Sequence, residues 1–556
     1  MKKPGLLFTI LVLLAACGGA ERPVAAVAMP DSHSAQVATS ILEAGGNAVD
    51  AGIAAAFSLA VTKPVAGNIG GGGFMLVFFE GNANFIDYRE TAPQLAHRDM
   101  YLDENGDVVE NASVIGHRAS GVPGTVAGMW IAHQRYGTKS WAELLAPAIR
   151  LAQEGFVVRD AQAQDLAEGF EFFGDEVNFA RHFAAMRGGE VFRQPDLART
   201  LQRIAEFGPD DFYRGETARL IVAEMERGGG LSSLEDLDAY EAIERNPLRA
   251  DWRDLEILAA PPPSSGGFAI VQLLKMKDYL APAFEGHGHN SPQYVHLIAE
   301  IEKRVFAVRD VYLGDPDFVD VPMDDLLSDD YLRRRALEVN ENEISTLDAA
   351  KPGLESPDTT HFSIVDRWGN AVANTYTLNW SYGNGVVVEG AGFLLNDEMD
   401  DFSVKPGVPN IYGVVGNTAN EIQPGKRMLS SMAPTILLRD DKVDMVLCTP
   451  GGSTIFTSVF QAIVNIYDFG MTPAEAAGAS RFHHQLLPPD LITYSPSVPL
   501  PDETIGALGE VGYRVEPHFY DYGDLQIVYV RDRDIQAGSD PRFWGEARVL
   551  SEKKPR

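Results

Sequence analysis

Two threonines in succession, Thr359 and Thr360, open an alternating strand pattern in the stretch ESPDTTHFSIVD. Threonine is a good β former, and a strand can begin this way for no other reason. A chain cut between Asp358 and Thr359 would give the pair a different chemistry. Thr359 would then carry a free α-amine beside its hydroxyl, and an α-amine with a pKa of about 7.7–8.0 serves as a general base at neutral pH. One residue supplies both nucleophile and base. The hydroxyl also offers a route to the cut: Thr359 Oγ1 attacks the Asp358 carbonyl, an ester forms, and water releases it. The acidic approach NENEISTLDAAKPGLESPD must bend for its last carbonyl to reach that hydroxyl.

The elements around this pair follow from pattern. THFSIVD and AVANTYTLN alternate on either side of Asp366-Arg367-Trp368-Gly369-Asn370 and read as a hairpin. A turn centred near Trp368 sets residue 359 opposite residue 377, with Thr377 and Asn379 beside the first strand's start. Further strands are expected in APTILLR, DMVLCT and LQIVYVRD. Near the N-terminus, two helices are expected on either side of Gly45-Gly46, capped by Asp31 or Ser32 and by Asn47. The second is rich in small apolar residues and suits a buried layer. GFMLVFFEGNANFIDYRE reads as two strands around a Gly-Asn turn, and residues 120–350 as largely helical, interrupted by the proline-rich LAAPPPSSGG. Helices suited to covering sheets, followed by a strand-rich block, point to sheets sandwiched between helical layers.

Composition narrows the function. With 45% hydrophobic residues in 556, the chain can bury a large core, and a formal charge of −32 with no basic stripe repels nucleic acid. No metal is expected: no Cys/His cluster has zinc spacing, and RFHHQ sets His483 and His484 side by side, where they cannot both face one ion from a helix. IGGGGF precedes a strand and lacks the Lys-Ser/Thr of a phosphate-binding loop. The N-terminus, MKKPGLLFTILVLLAAC, has the layout of an export signal, and Leu14-Ala15-Ala16-Cys17 resembles a bacterial lipobox, so residues 1–16 are expected to be a lipoprotein signal peptide with lipidation at Cys17. The protein is then exported, on the periplasmic side and anchored to the membrane through that lipid alone. Cys448, in an apolar run, is left without a disulfide partner and reads as a buried thiol.

Nine segments in order, IGGGGFMLVFF, DYRETAP, PPPSSGGFA, PDTTHFSIVDRWGNAVANTYTLN, LLNDEMDDFSVKPGVPNIYGVVG, RMLSSMAPT, TPGGS, RFHHQ and AGSDPR, together resemble the γ-glutamyltranspeptidases, also called glutathione hydrolases. The resemblance runs from about residue 25 to 545. It implies an N-terminal-nucleophile hydrolase with a four-layer αββα fold, α/β in class. It implies a proenzyme that cleaves itself into a large subunit, 17–358, and a small one, 359–556, which pair as a heterodimer. Small γ-glutamyl donors such as glutathione and amino-acid or peptide acceptors would be its partners, with no cofactor.

By the same resemblance, Asp358-Thr359 is the cleavage site, Thr359 the nucleophile and Thr377 the threonine that orients it. Arg89 matches the residue that holds the glutamyl α-carboxylate, and a forked guanidinium suits that task. Asn379, Glu398 and Asp401 match the group around the α-amino and α-carboxylate ends, with the two acids taking the ammonium. Ser430 and Ser431 match the serine pair on the carboxylate, Gly451 and Gly452 the oxyanion glycines, and Tyr412 the gate in a lid loop, KPGVPNIYGVVG. Without the resemblance, DEMDD reads as a solvated acidic loop, Arg89 as a surface charge and LSSM as a turn. Two other readings stand beside the main one: a cephalosporin acylase or poly-γ-glutamate depolymerase of the same superfamily, and a lipoprotein that binds γ-glutamyl peptides without turnover.

Overall fold

The computed structural model describes residues 21–346, 359–408, 410–411, 413, 416–531 and 534–553. Cys17, Asp358 and Tyr412 lie outside the described residues.

Asn47 starts the helix on which the first sheet packs. Its side chain accepts from Asp50 N at 2.9 Å while Asp50 Oδ2 accepts from Asn47 N at 3.0 Å, so two otherwise orphaned N–H groups are satisfied reciprocally. The helix, Ala48–Thr62, is buried along its whole length, as its all-round apolar composition requires. The preceding helix, Ser32–Glu43, is capped by Asp31, and the break falls at Gly45-Gly46 as expected. Ala48 N donates to Asp366 Oδ2 at 3.0 Å, and Asp366 Oδ1 accepts from Trp368 N and Asn370 N. One carboxylate thereby shapes the hairpin turn and ties it to the helix start.

That hairpin, Thr360–Val365 and Ala371–Thr377, lies in the middle of a seven-stranded antiparallel sheet. The spatial order is Glu546–Lys553, Glu21–Met29, Thr360–Val365, Ala371–Thr377, Gly72–Phe79, Asn82–Tyr88 and Ile243–Arg245. Thr360 pairs with Tyr376, so the register, continued by one residue, sets Thr359 opposite Thr377 as the turn position predicts. A six-stranded antiparallel sheet lies against it, in the order Asp534–Ser539, Gln526–Arg531, Lys442–Cys448, Thr435–Arg439, Leu255–Ala259 and Leu248–Trp252.

Alternate side chains of the two sheets meet in a shared core, where Phe74, Leu76 and Ala373 of the first join Leu258, Ile436 and Val446 of the second. Helices Gly266–Tyr279, Pro292–Tyr312 and Thr454–Tyr467 belong to that core and cover the outer face of the second sheet. The N-terminal helices cover the outer face of the first. The result is the four-layer αββα sandwich. Cys448 is buried as expected, and burial pushes its thiol up to about 12.

Two details depart from the sequence reading. The middle region contributes strands as well as helices, because Leu248–Trp252 and Leu255–Ala259 form an edge hairpin of the second sheet. The turn in GFMLVFFEGNANF consists of Glu80-Gly81, both at positive φ, and Asn82 already pairs with Phe79. A two-residue hairpin loop needs that left-handed geometry, which displaces the turn by one residue from the Gly-Asn reading.

The IGGGGF run finds its reason in this packing. A Cβ on Gly71 would collide with the Thr377 carbonyl oxygen, and one on Gly73 would collide with Thr375 O and stand 2.6 Å from Tyr376 Cα. Gly73→Ala therefore forces the two central strands apart. The expected cost is about 1–3 kcal/mol of stability, the usual price of overpacking, read as a lower urea midpoint at unchanged m-value.

Candidate active site

Thr359 stands at the open end of the central hairpin and lines two cavities. The first is also lined by Arg89, Thr377, Asn379, Asp401, Ser430, Ser431 and Gly452. Residues up to 363 positions apart in the chain, from Arg89 to Gly452, thus meet at one place. Glu398 is buried behind Arg89, and Gly451 precedes Gly452 without lining the cavity itself.

The neighbourhood of the threonine pair is held by backbone contacts. Thr377 Oγ1 accepts from Asn379 N at 2.9 Å, and Asn379 takes a left-handed φ of 81°. The Asn379 side chain donates to the Asp397 carbonyl oxygen at 3.2 Å, and Asp397 Oδ1 accepts from Trp380 N at 2.9 Å. From the other side, Asn68 Nδ2 donates to the Thr377 carbonyl at 2.8 Å, while its Oδ1 accepts from Gly71 N and Thr125 Oγ1. Asn68 escaped the sequence reading because a lone Asn after a helix looks like any turn residue.

Gly451 and Gly452 have φ values of 134° and 53° and lead directly into the helix Thr454–Tyr467. A Cβ on Gly451 would collide with Thr454 Oγ1, the group that donates to Gly451 O at 2.7 Å. The pair therefore sits at a helix N-terminus, where N–H groups and the positive end of the macrodipole favour an anion. Behind it, Ser453 Oγ donates to Gln485 Oε1 at 2.8 Å, and His483 Nε2 lies 3.1 Å from the same oxygen. RFHHQ thus braces the glycine loop, and no His/Cys/Asp/Glu cluster suited to a metal occurs among the described residues.

The serine pair is fixed by the PPPSSGG segment. Ser430 N donates to Pro263 O, the Ser430 carbonyl accepts from both Ser265 N and Ser265 Oγ at 2.8 Å, and Ser264 Oγ donates to Met432 O. Of the segment KPGVPNIYGVVG, Asn410 and Gly416 line the cavity, and Asn410 Nδ2 reaches Asp401 Oδ1 at 3.4 Å.

Arg89 is no surface charge: it is fully buried, 2.7 Å from Glu398, 3.7 Å from Glu90 and hydrogen-bonded to Asp401. Burial works against its charge, but attraction to Glu398, Asp401 and Glu90 outweighs that and holds it above its ordinary range. One guanidinium cannot support three buried carboxylates as anions. Burial pushes Glu90 up to about 8 against the pull of Arg89, raises Glu398 well above the carboxylate range, and raises Asp401. DEMDD is therefore a buried charge cluster rather than a solvated loop.

The second cavity, about 650 Å³, is lined by Thr359 together with Phe172, Trp380 and Trp544. Lys63 crosses its wall, paired with Asp524 at 3.1 Å.

Comparison with known proteins places this geometry in context. The family model for gamma-glutamyltranspeptidase matches residues 34–550. A glutathione hydrolase proenzyme of Pseudomonas aeruginosa is 54% identical over 525 residues, covering 94% of each chain. A solved gamma-glutamyltranspeptidase from Pseudomonas nitroreducens, complexed with L-DON, is 53% identical over 57% of this chain and 95% of its own, at a TM-score of 0.57. The cephalosporin acylase of Bacillus halodurans superposes with a TM-score of 0.82 over 98% of this chain and 99% of its own, at 26% identity.

The charge cluster makes a pH prediction. Glu90 is raised from the ordinary carboxylate value to about 8, so between about 4.5 and 8 the folded state holds a proton that the unfolded state has released. Stability falls as pH rises through that window, by up to about 1.4 kcal/mol per unit for one proton. Glu90→Gln mimics the protonated acid, so its urea stability measured from pH 5 to 8.5 should fall less steeply than that of the wild type. Parallel profiles would show that Glu90 is already ionised.

Proposed function

This chain belongs to the gamma-glutamyltranspeptidase family, and we propose from that premise that it is a self-cleaving γ-glutamyltransferase and glutathione hydrolase with Thr359 as its nucleophile. The observation that carries the reading is the convergence of Thr359, Gly452, Arg89 and Asp401 on one cavity.

In the proposed mechanism, cleavage after Asp358 separates a large subunit, 17–358, from a small one, 359–556, and the two remain paired through the shared sheets. The freed α-amine of Thr359 takes the proton of Oγ1 as that oxygen attacks the γ-carbonyl of the donor. The tetrahedral oxyanion is received at the Gly451-Gly452 turn, where loss of one such donor typically costs about 10²- to 10³-fold in rate. The amine then protonates the leaving amine, which for glutathione is cysteinylglycine, and a γ-glutamyl ester on Thr359 remains. Water or an amino-acid amine resolves the ester by the reverse sequence. The glutamyl end lies in the first cavity, its ammonium towards Asp401 and Glu398 and its carboxylate towards Ser430, Ser431 and Arg89. The wider second cavity, with Trp380 on its wall, receives the leaving group and the acceptor. Thr377 orients the nucleophile through its cross-strand position, Asn379 supports the donor end, and Tyr412 of the lid segment gates it.

The similarity to a cephalosporin acylase marks the superfamily rival, but 54% identity to a glutathione hydrolase proenzyme against 26% favours the γ-glutamyl donor. The lid segment next to Asp401 favours small donors over long polymers.

Intact mass spectrometry of wild type beside Thr359→Ala tests the proposal. The wild type should give two chains, the smaller beginning at Thr359, and hydrolyse a γ-glutamyl anilide; the variant should stay whole and inactive. An uncut, inactive wild type would instead favour the binding lipoprotein. Export with a lipid on Cys17 is a separate part of the proposal. Metabolic labelling with a fatty-acid analogue should mark the wild type and not Cys17→Ser, and an unlabelled wild type removes the anchor.

A further inference from the structure

Past the strand Ala371–Thr377 the chain serves two cavities with consecutive residues: Asn379 lines the first and Trp380 the second, while Thr359 lines both. Neighbouring residues reach different spaces here because the backbone bends sharply between them. Asn379 holds a left-handed φ of 81°, a conformation that a residue other than glycine keeps only where its surroundings impose it.

Asp397 supplies that constraint. It is fully buried and lines neither cavity. Its N–H donates to the Leu378 carbonyl at 2.9 Å, its Oδ1 accepts from Trp380 N at 2.9 Å, and its carbonyl oxygen and Oδ2 accept from Asn379 Nδ2 at 3.2 and 3.4 Å. One residue thus grips 378, 379 and 380 in succession. Trp380 in turn lies against Phe172, with ring centroids 5.8 Å apart, on the wall of the second cavity. In the other direction Asp397 leads straight into the 3-10 turn Glu398–Asp401, which brings Asp401 to the first cavity. Burial, with Asp400 and Asp401 close by, pushes the Asp397 carboxyl well above the ordinary carboxylate range, so it acts as a neutral acid that an asparagine can replace.

We propose that Asp397 is a positioning residue for both halves of the reaction: by fixing the Asn379-Trp380 turn it keeps Asn379 at the donor cavity and Trp380 in the wall that receives the acceptor. The inference rests on the γ-glutamyl reading above. Loss of the carboxyl removes the acceptor that Oδ1 gives Trp380 N, and the left-handed turn relaxes. Donor binding and acceptor use then change together, although Asp397 touches neither substrate.

The test uses processed enzyme with a γ-glutamyl anilide as donor and glycylglycine as acceptor. Asp397→Ala should raise the donor KM about 5- to 20-fold and lower the ratio of transfer to hydrolysis at least about 3-fold, the size expected for one or two lost hydrogen bonds. Asp397→Asn keeps an acceptor for Trp380 N and should stay within about 2-fold of wild type in both. A purely structural role would lower the urea midpoint and the fraction of active enzyme but leave KM and the ratio unchanged, and that result overturns the inference. So does a change in only one of the two quantities, or an Asp397→Asn variant as impaired as Asp397→Ala. If Asp397→Ala does not fold or self-cleave, Asp397→Ser takes its place under the same criteria, since its hydroxyl is one bond too short for Trp380 N; failure of both to self-cleave also overturns the inference. Wild-type enzyme without turnover of the anilide overturns the functional reading and this inference together, whereas wild-type turnover with unchanged KM and ratio in the variants overturns this inference alone.

Discussion

The hairpin Thr360–Thr377 is paired on both flanks, by Glu21–Met29 on one side and Gly72–Phe79 on the other, and everything at the site depends on that confinement. A strand with neighbours on both edges cannot slip by one residue without turning its whole buried set to the wrong face. Thr359 is therefore delivered to one position, at the end of a rigid ladder, opposite Thr377. The neighbouring glycines of residues 70–73 let the Gly72–Phe79 strand and its approach come close enough to hold it. Asn68 completes the arrangement by donating to the Thr377 carbonyl.

Around this fixed point the molecule assembles charge that would be unstable elsewhere. Arg89 follows directly on the strand Asn82–Tyr88, Glu398 and Asp401 come from a short 3-10 turn, and the segment 428–431 supplies backbone acceptors and the serine pair. Each of these pieces is held from behind: Asn420 donates to Asp401 O at 2.7 Å and accepts from Leu429 N at 3.0 Å, and PPPSSGG grips the serines. A buried cluster with more acids than bases is costly when empty and gains most from a ligand that brings its own ammonium. The fold does not depend on this cluster for its energy, which resides in the two apolar cores.

The motifs divide by what surrounds them. IGGGGF, RFHHQ and AGSDPR touch no substrate in the proposed mechanism, yet each supports the segments around Thr359. The glycines allow close approach, His483 and Gln485 brace Ser453, and Arg481, paired with Asp540 at 2.6 Å, also donates to the carbonyls of Tyr522 and Gly523 beside the second cavity. Residue type alone could suggest phosphate or metal for two of these runs; packing gives them another purpose.

Local pattern was enough for the elements that carry the chemistry. The 2-residue alternation around Asp366–Asn370 determined the hairpin and its register, Asp31 and Asn47 determined two helix starts, and the Thr-Thr pair marked the candidate nucleophile, because turns, caps and periodicity act over a few residues. The αββα layering and the site residues came from ordered motifs that resemble a family, not from periodicity. What tertiary structure alone decided is burial and long-range charge. Arg89 and DEMDD read as solvated groups in isolation and become a closed ionic cluster only when segments some 310 residues apart meet. Arg309, on a helix that reads as ordinary core, borders the cavity for the same reason. Desolvation and Coulomb energy depend on neighbours in space, and a sequence lists only neighbours along the chain.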